Sequence, residues 1–144
     1  MRPAILSFSA LLSLTACDLV GPQDKLSHAA AWFMCGPADG PATAIVLAAE
    51  PVELHQPSSP RLEVTILQDV GAIAGHTWDL KGDSAYASYV IKQDSAEPVS
   101  SGTVRITSVD TANTIRGIVT ARFGSRTVVH SFTAPWLQNR VLCG

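Results

Sequence analysis

Between residues 102 and 134 apolar and polar positions alternate almost without a break. A period of two is the signature of strands buried on one face. Gly102 to Val109, Thr114 to Phe123 and Arg126 to Ala134 read as a three-strand meander. Its turns fall at Asp110-Thr111-Ala112-Asn113 and at Gly124-Ser125, the second being a favoured two-residue hairpin loop. These turns set the register. Val104 should lie opposite Val119 and Ile106 opposite Gly117; in the second hairpin Val119 should face His130, and Gly117 should face Phe132. One face then collects Val104, Ile106, Ile115, Val119, Ala121, Phe123, Val128, Phe132 and Ala134. The other collects Thr103, Arg105, Thr107, Thr114, Arg116, Thr120, Arg122, Thr127, Ser131 and Thr133, with Ile118 and Val129 as apolar exceptions. A slip of one residue would scramble both faces, so the register is well specified.

Upstream the pattern is more varied. Leu62, Val64 and Ile66 alternate with Glu63 and Thr65, and Thr43 to Ala49 is an unbroken apolar run that suits a buried strand. Pro51 to Pro60, with three prolines, is a loop, and Asp94 to Ser101 reads as a second. His76 to Leu80 and Ala85 to Lys92 flank Lys81-Gly82-Asp83, which predicts a hairpin. His28 to Cys35 suits a short helix or a strand equally. Short, regular strands without a convincing long helix predict an all-β fold. The expected architecture is a small antiparallel β-sandwich or partly open barrel ending in the meander, preceded by a cleaved N-terminal signal helix.

The signal helix is the expectation for residues 1–16. Arg2 gives a short positive start, and Ala4 to Leu14 is an apolar stretch of 11 residues. That is the length of an export signal core and short of the roughly 20 apolar residues that span a bilayer. Leu14-Thr15-Ala16-Cys17 follows. This tetrapeptide resembles the lipobox of bacterial lipoproteins: an aliphatic residue, two small ones and an invariant cysteine. The resemblance implies diacylglyceryl transfer to the Cys17 sulfur, cleavage just before it, and a palmitate-type lipid anchor. Two acyl chains on one residue hold a protein on a membrane stably where a single chain is marginal. The implied location is the bacterial cell envelope, with the domain on the exported side. Asp18 resembles an inner-membrane retention signal at this second position. Residues 17–27 then form the lipidated cysteine and a tether, of reach ~30 Å when extended, and residues 28–144 form a single β-rich domain. The segment from Gly117 to Trp136 resembles the C-terminal meander of small β-rich bacterial lipoproteins of unassigned function, which implies a fold and no chemistry.

Export also bears on the other two cysteines. With Cys17 consumed by lipid, Cys35 and Cys143 remain as an even pair in an oxidising compartment, where a disulfide is the default. The alternatives are two free thiols or a metal pair, for which neighbouring ligands are lacking. Charge is distributed unevenly. Residues 18–101 hold eleven Asp/Glu and four Lys/Arg, whereas residues 102–144 hold five Arg and one Asp. Within one domain the two halves interleave and largely neutralise each other.

Catalytic and metal signatures are scarce. The four histidines, His28, His55, His76 and His130, show no metal-binding spacing. His130, on the apolar face of the meander, reads as a core residue before a ligand. Neither a G-x-S-x-G elbow nor a phosphate loop occurs. A carboxylate pair for glycoside hydrolysis has nothing to single it out among Glu50, Glu53 and Glu63. No cofactor, metal or nucleic-acid partner is expected. Trp32, Trp78 and Trp136 mark a partner site if exposed together and packing if spread through the core. The sharpest candidate is the polar face of the meander, where Arg105, Arg116 and Arg122 project among hydroxyls. It suits an anionic partner such as a cell-wall polymer or lipid headgroups; the alternative is an ordinary solvated sheet face. The overall expectation is a non-catalytic, membrane-anchored envelope lipoprotein that binds or scaffolds an envelope protein or cell-wall polymer. A small-ligand or inhibitor-type β-barrel is the second reading and an envelope hydrolase the third.

Overall fold

The computed structural model describes residues 25–54, 56–139 and 141–143. The expected signal segment, the lipobox with Cys17, and His55 lie outside the described residues. Nine strands form two antiparallel sheets: β1 (His28–Cys35), β2 (Pro41–Ala48), β3 (Arg61–Ile66), β4 (Thr77–Asp79), β5 (Ala85–Lys92), β6 (Ser95–Pro98), β7 (Ser101–Val109), β8 (Ile115–Phe123) and β9 (Arg126–Ala134). One sheet has the order β1-β2-β3-β5-β6 and the other β4-β7-β8-β9. The fold is an open β-sandwich; the sheets do not close into a barrel. A single 3-10 turn (Val70–Ala72) is the one helical element among the described residues, so none there is long and apolar enough to cross a membrane.

The meander forms as its alternation predicts. Val104 pairs with Val119, Ile106 with Gly117, Val119 with His130 and Gly117 with Phe132. Strand β8 is buried and exposed at strictly alternate positions. Gly124 carries the positive φ, 56°, that a type II′ hairpin turn puts on its first central residue. Gly117 has a different reason: a Cβ there would sit 2.8 Å from the Phe132 ring and 2.6 Å from the Arg105 carbonyl oxygen. The Phe132 ring therefore fills the space a side chain would take. One irregularity is new. The β7–β8 register shifts between Ile106 and Ser108, a bulge that leaves Thr107 without an opposite residue.

The turn after β7 is held by Asp110, whose Oδ1 accepts hydrogen bonds from the backbone N–H groups of Ala112 and Thr114, each at 2.9 Å. The Thr114 N–H bond is the main reason the Asp110 carboxyl titrates below the usual aspartate range. With its folded pKa depressed, Asp110 contributes stability above the unfolded pKa. That contribution is lost as pH falls through the lower, folded value. In an NMR titration the Asp110 carboxyl carbon should show a midpoint below that of an unstructured aspartate. A midpoint at or above the ordinary value would contradict the bonding described.

Four readings outside the meander are corrected or resolved. His28 to Cys35 is a strand, paired along its whole length with β2. His76–Leu80 and Ala85–Lys92 do not form a hairpin. β4 pairs with β7 in the four-stranded sheet, and β5 with β3 and β6 in the other. Leu80 and Ala85 are both buried in the core, so the chain between them arches from one sheet to the other. The Leu80 N–H bonds the Gly102 carbonyl on one side, and the Leu67 N–H bonds the Ser84 carbonyl on the other. The stretch 94–101 is only partly loop, because β6 pairs with the end of β5. Pro98 is tolerated because β6 is an edge strand. Finally, the domain begins before residue 28. Leu26 is 2% exposed and belongs to the core, so the domain reaches into the stretch expected to be tether.

The core fills the space between the sheets. Ile45, Leu47, Leu62, Val64 and Tyr89 from one sheet meet Val104, Ile106, Ile115, Val119 and Phe123 from the other. β2 is buried at every position except Pro41, as its unbroken apolar run predicts. Its one buried hydroxyl, on Thr43, donates to the Gln68 carbonyl at 2.9 Å, which meets the cost of burying it.

The chain laces both sides of the sandwich. At one side it passes directly from β6 to β7: the Val99 N–H bonds Ala87 in the first sheet, and the Ser100 N–H bonds Arg122 in the second. At the other side the tail after β9 lies parallel to β1. The Ala31 N–H bonds the Pro135 carbonyl, the Leu137 N–H bonds the Ala31 carbonyl, and the Asn139 Nδ2 donates to the Phe33 carbonyl. A Cys35–Cys143 disulfide then ties the end of β1 to the end of this tail.

Candidate functional site

Side-chain parity on β7 and β8 places Arg105, Arg116 and Arg122 on the outer face of the four-stranded sheet, and all three are exposed. Two rows cross that face. Thr77, Arg105, Ile118 and Ser131 form one; Asp79, Thr103, Thr120 and Val129 form the next. Ile118 and Val129 are 40% and 62% exposed, so both apolar exceptions lie in the open among threonines.

The arginines share the face as expected, but they are not one cluster. Arg105 lies opposite Ile118, which puts it diagonal to Arg116 at about 7–8 Å between backbones. Arg122 is six residues from Arg116 along β8, about 20 Å at the rise of a strand. Their local partners differ as well. Arg116 pairs with Asp110 at 3.8 Å, with both side chains substantially exposed. Such a solvent-screened pair adds little to stability and leaves Arg116 open to a competing anion. Arg122 Nε donates to the Gly124 carbonyl at 3.2 Å. Among the described residues Arg105 has no side-chain partner.

The edge strand β4 adds residues that the linear pattern did not associate with this face. Asp79, Lys81, Ser100, Ser101, Thr103 and Thr120 line a solvent-open groove of about 480 Å³ beside the arginines. It was not legible because it depends on β4 pairing with β7, a contact between distant segments that the hairpin reading denied.

The remaining candidates fall elsewhere. The tryptophans form no common patch. Trp78, on β4, and Trp136, beside β1, each pack partly buried against the core, and Trp32 is half-buried on β1. Trp78 and Trp136 therefore serve packing, and Trp32 lies outside the core cluster. His76 is exposed with its ring 5.9 Å from that of Trp78, His28 is exposed at the start of β1, and His130 is half-buried opposite Val119. Among the described residues no three His, Cys, Asp or Glu side chains are grouped to hold a metal ion. Comparison with protein families, with curated proteins and with solved structures finds no match for this chain.

Proposed function

We propose that this protein is a bacterial envelope lipoprotein, anchored through diacylglyceryl on Cys17, whose domain is a non-catalytic module that binds an anionic cell-wall polymer. The observation that carries the binding reading is the exposed Arg105, Arg116 and Arg122 on one sheet face, with Arg105 unpaired among the described residues. Cations strung over about 20 Å of strand match a linear polyanion better than a compact ligand. A lipid-headgroup partner is less favoured. Lys25 and Leu26 lead directly into β1, in the sheet that does not carry the arginines. The apolar filling between the sheets favours a surface site over the internal cavity that a ligand-binding barrel needs.

The triple change Arg105→Ala, Arg116→Ala, Arg122→Ala should lower retention on cell-envelope fractions by roughly tenfold at low salt. The difference should shrink as salt screens exposed charges. Retention equal to that of the parent at every salt concentration would sink the binding reading. The anchor has its own readout, the intact mass of the protein extracted from membranes. It should correspond to a chain starting at a lipid-modified Cys17, and any other N-terminus defeats that part.

A further inference from the structure

The groove at the β4 end of the arginine face has a chemistry unlike that of the arginines. Thr103 and Thr120 face each other directly across β7 and β8, and Asp79 lies opposite Thr103 on β4. Asp79 Oδ1 accepts the Lys81 backbone N–H at 2.9 Å, which fixes the carboxylate and leaves Oδ2 free. Among the described residues, the side chains of Lys81, Ser101, Thr103 and Thr120 have no hydrogen-bond partner. The wall therefore offers one fixed acceptor, one cationic donor and three hydroxyls that can act either way. A bare polyanion presents acceptors only and would be repelled by Asp79. A hydroxyl-bearing ring, with donors and acceptors alternating around it, can satisfy the whole set. The volume of about 480 Å³ lies within the range of small-ligand sites.

Position strengthens the argument. Arg105 follows Thr103 by two residues on β7, and Arg122 follows Thr120 by two on β8. Because these strands run antiparallel, the two arginines flank the threonine pair on opposite sides, about 13 Å apart along the strands. We propose that this groove seats one sugar unit of an anionic polysaccharide whose charged groups lie on Arg105 and Arg122. This assignment rests on the anionic-polymer reading above and narrows it from any polyanion to a hydroxylated one.

The test compares two probes on the full chain purified in detergent: sodium alginate, a polyuronate with ring hydroxyls, and inorganic polyphosphate, which has charge but no hydroxyl groups. Thr103→Val with Thr120→Val removes two hydroxyls and keeps the β-branched shape. It should weaken alginate binding about tenfold, as two lost hydrogen bonds imply, and change polyphosphate binding less than twofold. Asp79→Asn keeps the Oδ1 acceptor and removes the charge, so it should weaken alginate binding and leave polyphosphate binding equal or stronger. Arg105→Ala with Arg122→Ala should weaken both. If the threonine and aspartate variants bind alginate like the parent while the arginine variant does not, the groove assignment is wrong and the anionic face stands. Equal losses for both polymers in the threonine variant would also overturn it. A parent chain that retains neither polymer overturns both readings together.

Discussion

Replacing both Cys35 and Cys143 with serine should lower stability by up to about 4–5 kcal/mol, the largest single effect expected for this domain. The bond closes a loop of 108 residues in sequence separation, nearly the whole folded chain. On the chain-entropy model a crosslink acts mainly on the unfolded ensemble, and its effect grows with the logarithm of loop length. The folded side should change little. The tail keeps its hydrogen bonds to Ala31 and Phe33, so β1 remains covered when the sulfur bridge is gone. In urea, with a slope of about 1–3 kcal/mol per molar, a loss of that size lowers the midpoint by roughly 1.3–5 M. The slope itself should rise, because an uncrosslinked chain exposes more surface on unfolding. A midpoint shift under about 0.5 M with no change in slope would mean the denatured chain already holds its ends together, against the entropic account.

That disulfide was accessible from counting: the expectation of export with lipid on Cys17 leaves Cys35 and Cys143 as an even pair. The meander was accessible for a different reason. Its turns are short, so register follows from local chemistry, and alternation broken only by the Thr107 bulge and by the exposed Ile118 and Val129 leaves each strand one favoured way to face the core. The same parity puts Arg105, Arg116 and Arg122 on one face. Elsewhere local pattern was a poor guide to partnership. Lys81-Gly82-Asp83 says that the chain turns. It does not say whether the flanking strands pair with each other or with different sheets, and Leu80 and Ala85 would be apolar either way. β6, Ser-Ala-Glu-Pro, has no strand character of its own. It is recruited by the free edge of β5, where backbone pairing overrides propensity. The groove inherits both difficulties. Asp79 meets Thr103 only because of the β4–β7 pairing, and no periodicity within either segment reports it.

The second large effect is expected at Phe123. The tight Gly124-Ser125 turn sets Phe123 and Arg126 opposite each other at the end of the β8–β9 hairpin. Both meet Tyr89, which comes from the other sheet. The Phe123 and Tyr89 rings are 5.8 Å apart at 51°, a tilted contact of the favoured kind, and the Arg126 guanidinium lies 4.1 Å from the centre of the Tyr89 ring. Phe123 and Tyr89 are each fully buried, so this contact is one of the joints that hold the two sheets together. Phe123→Ala removes the ring from a site walled by β-strands, which relax less than a loop would. The loss should be about 3–5 kcal/mol in chemical denaturation, in the range for buried aromatics replaced by alanine. Phe123→Leu keeps most of the volume and should cost much less. Arg126→Ala, which strips the outer layer from Tyr89 without opening the core, should cost about 1 kcal/mol. An alanine variant at Phe123 less than about 1 kcal/mol below the parent would mean the sheets are held together elsewhere. The joint should also matter beyond stability. Arg122, one flank of the proposed sugar groove, sits beside Phe123 on the same strand and bonds the Gly124 carbonyl. Loosening that hairpin should weaken alginate binding more than polyphosphate binding, because a shaped groove depends on strand position more steeply than a diffuse charge does.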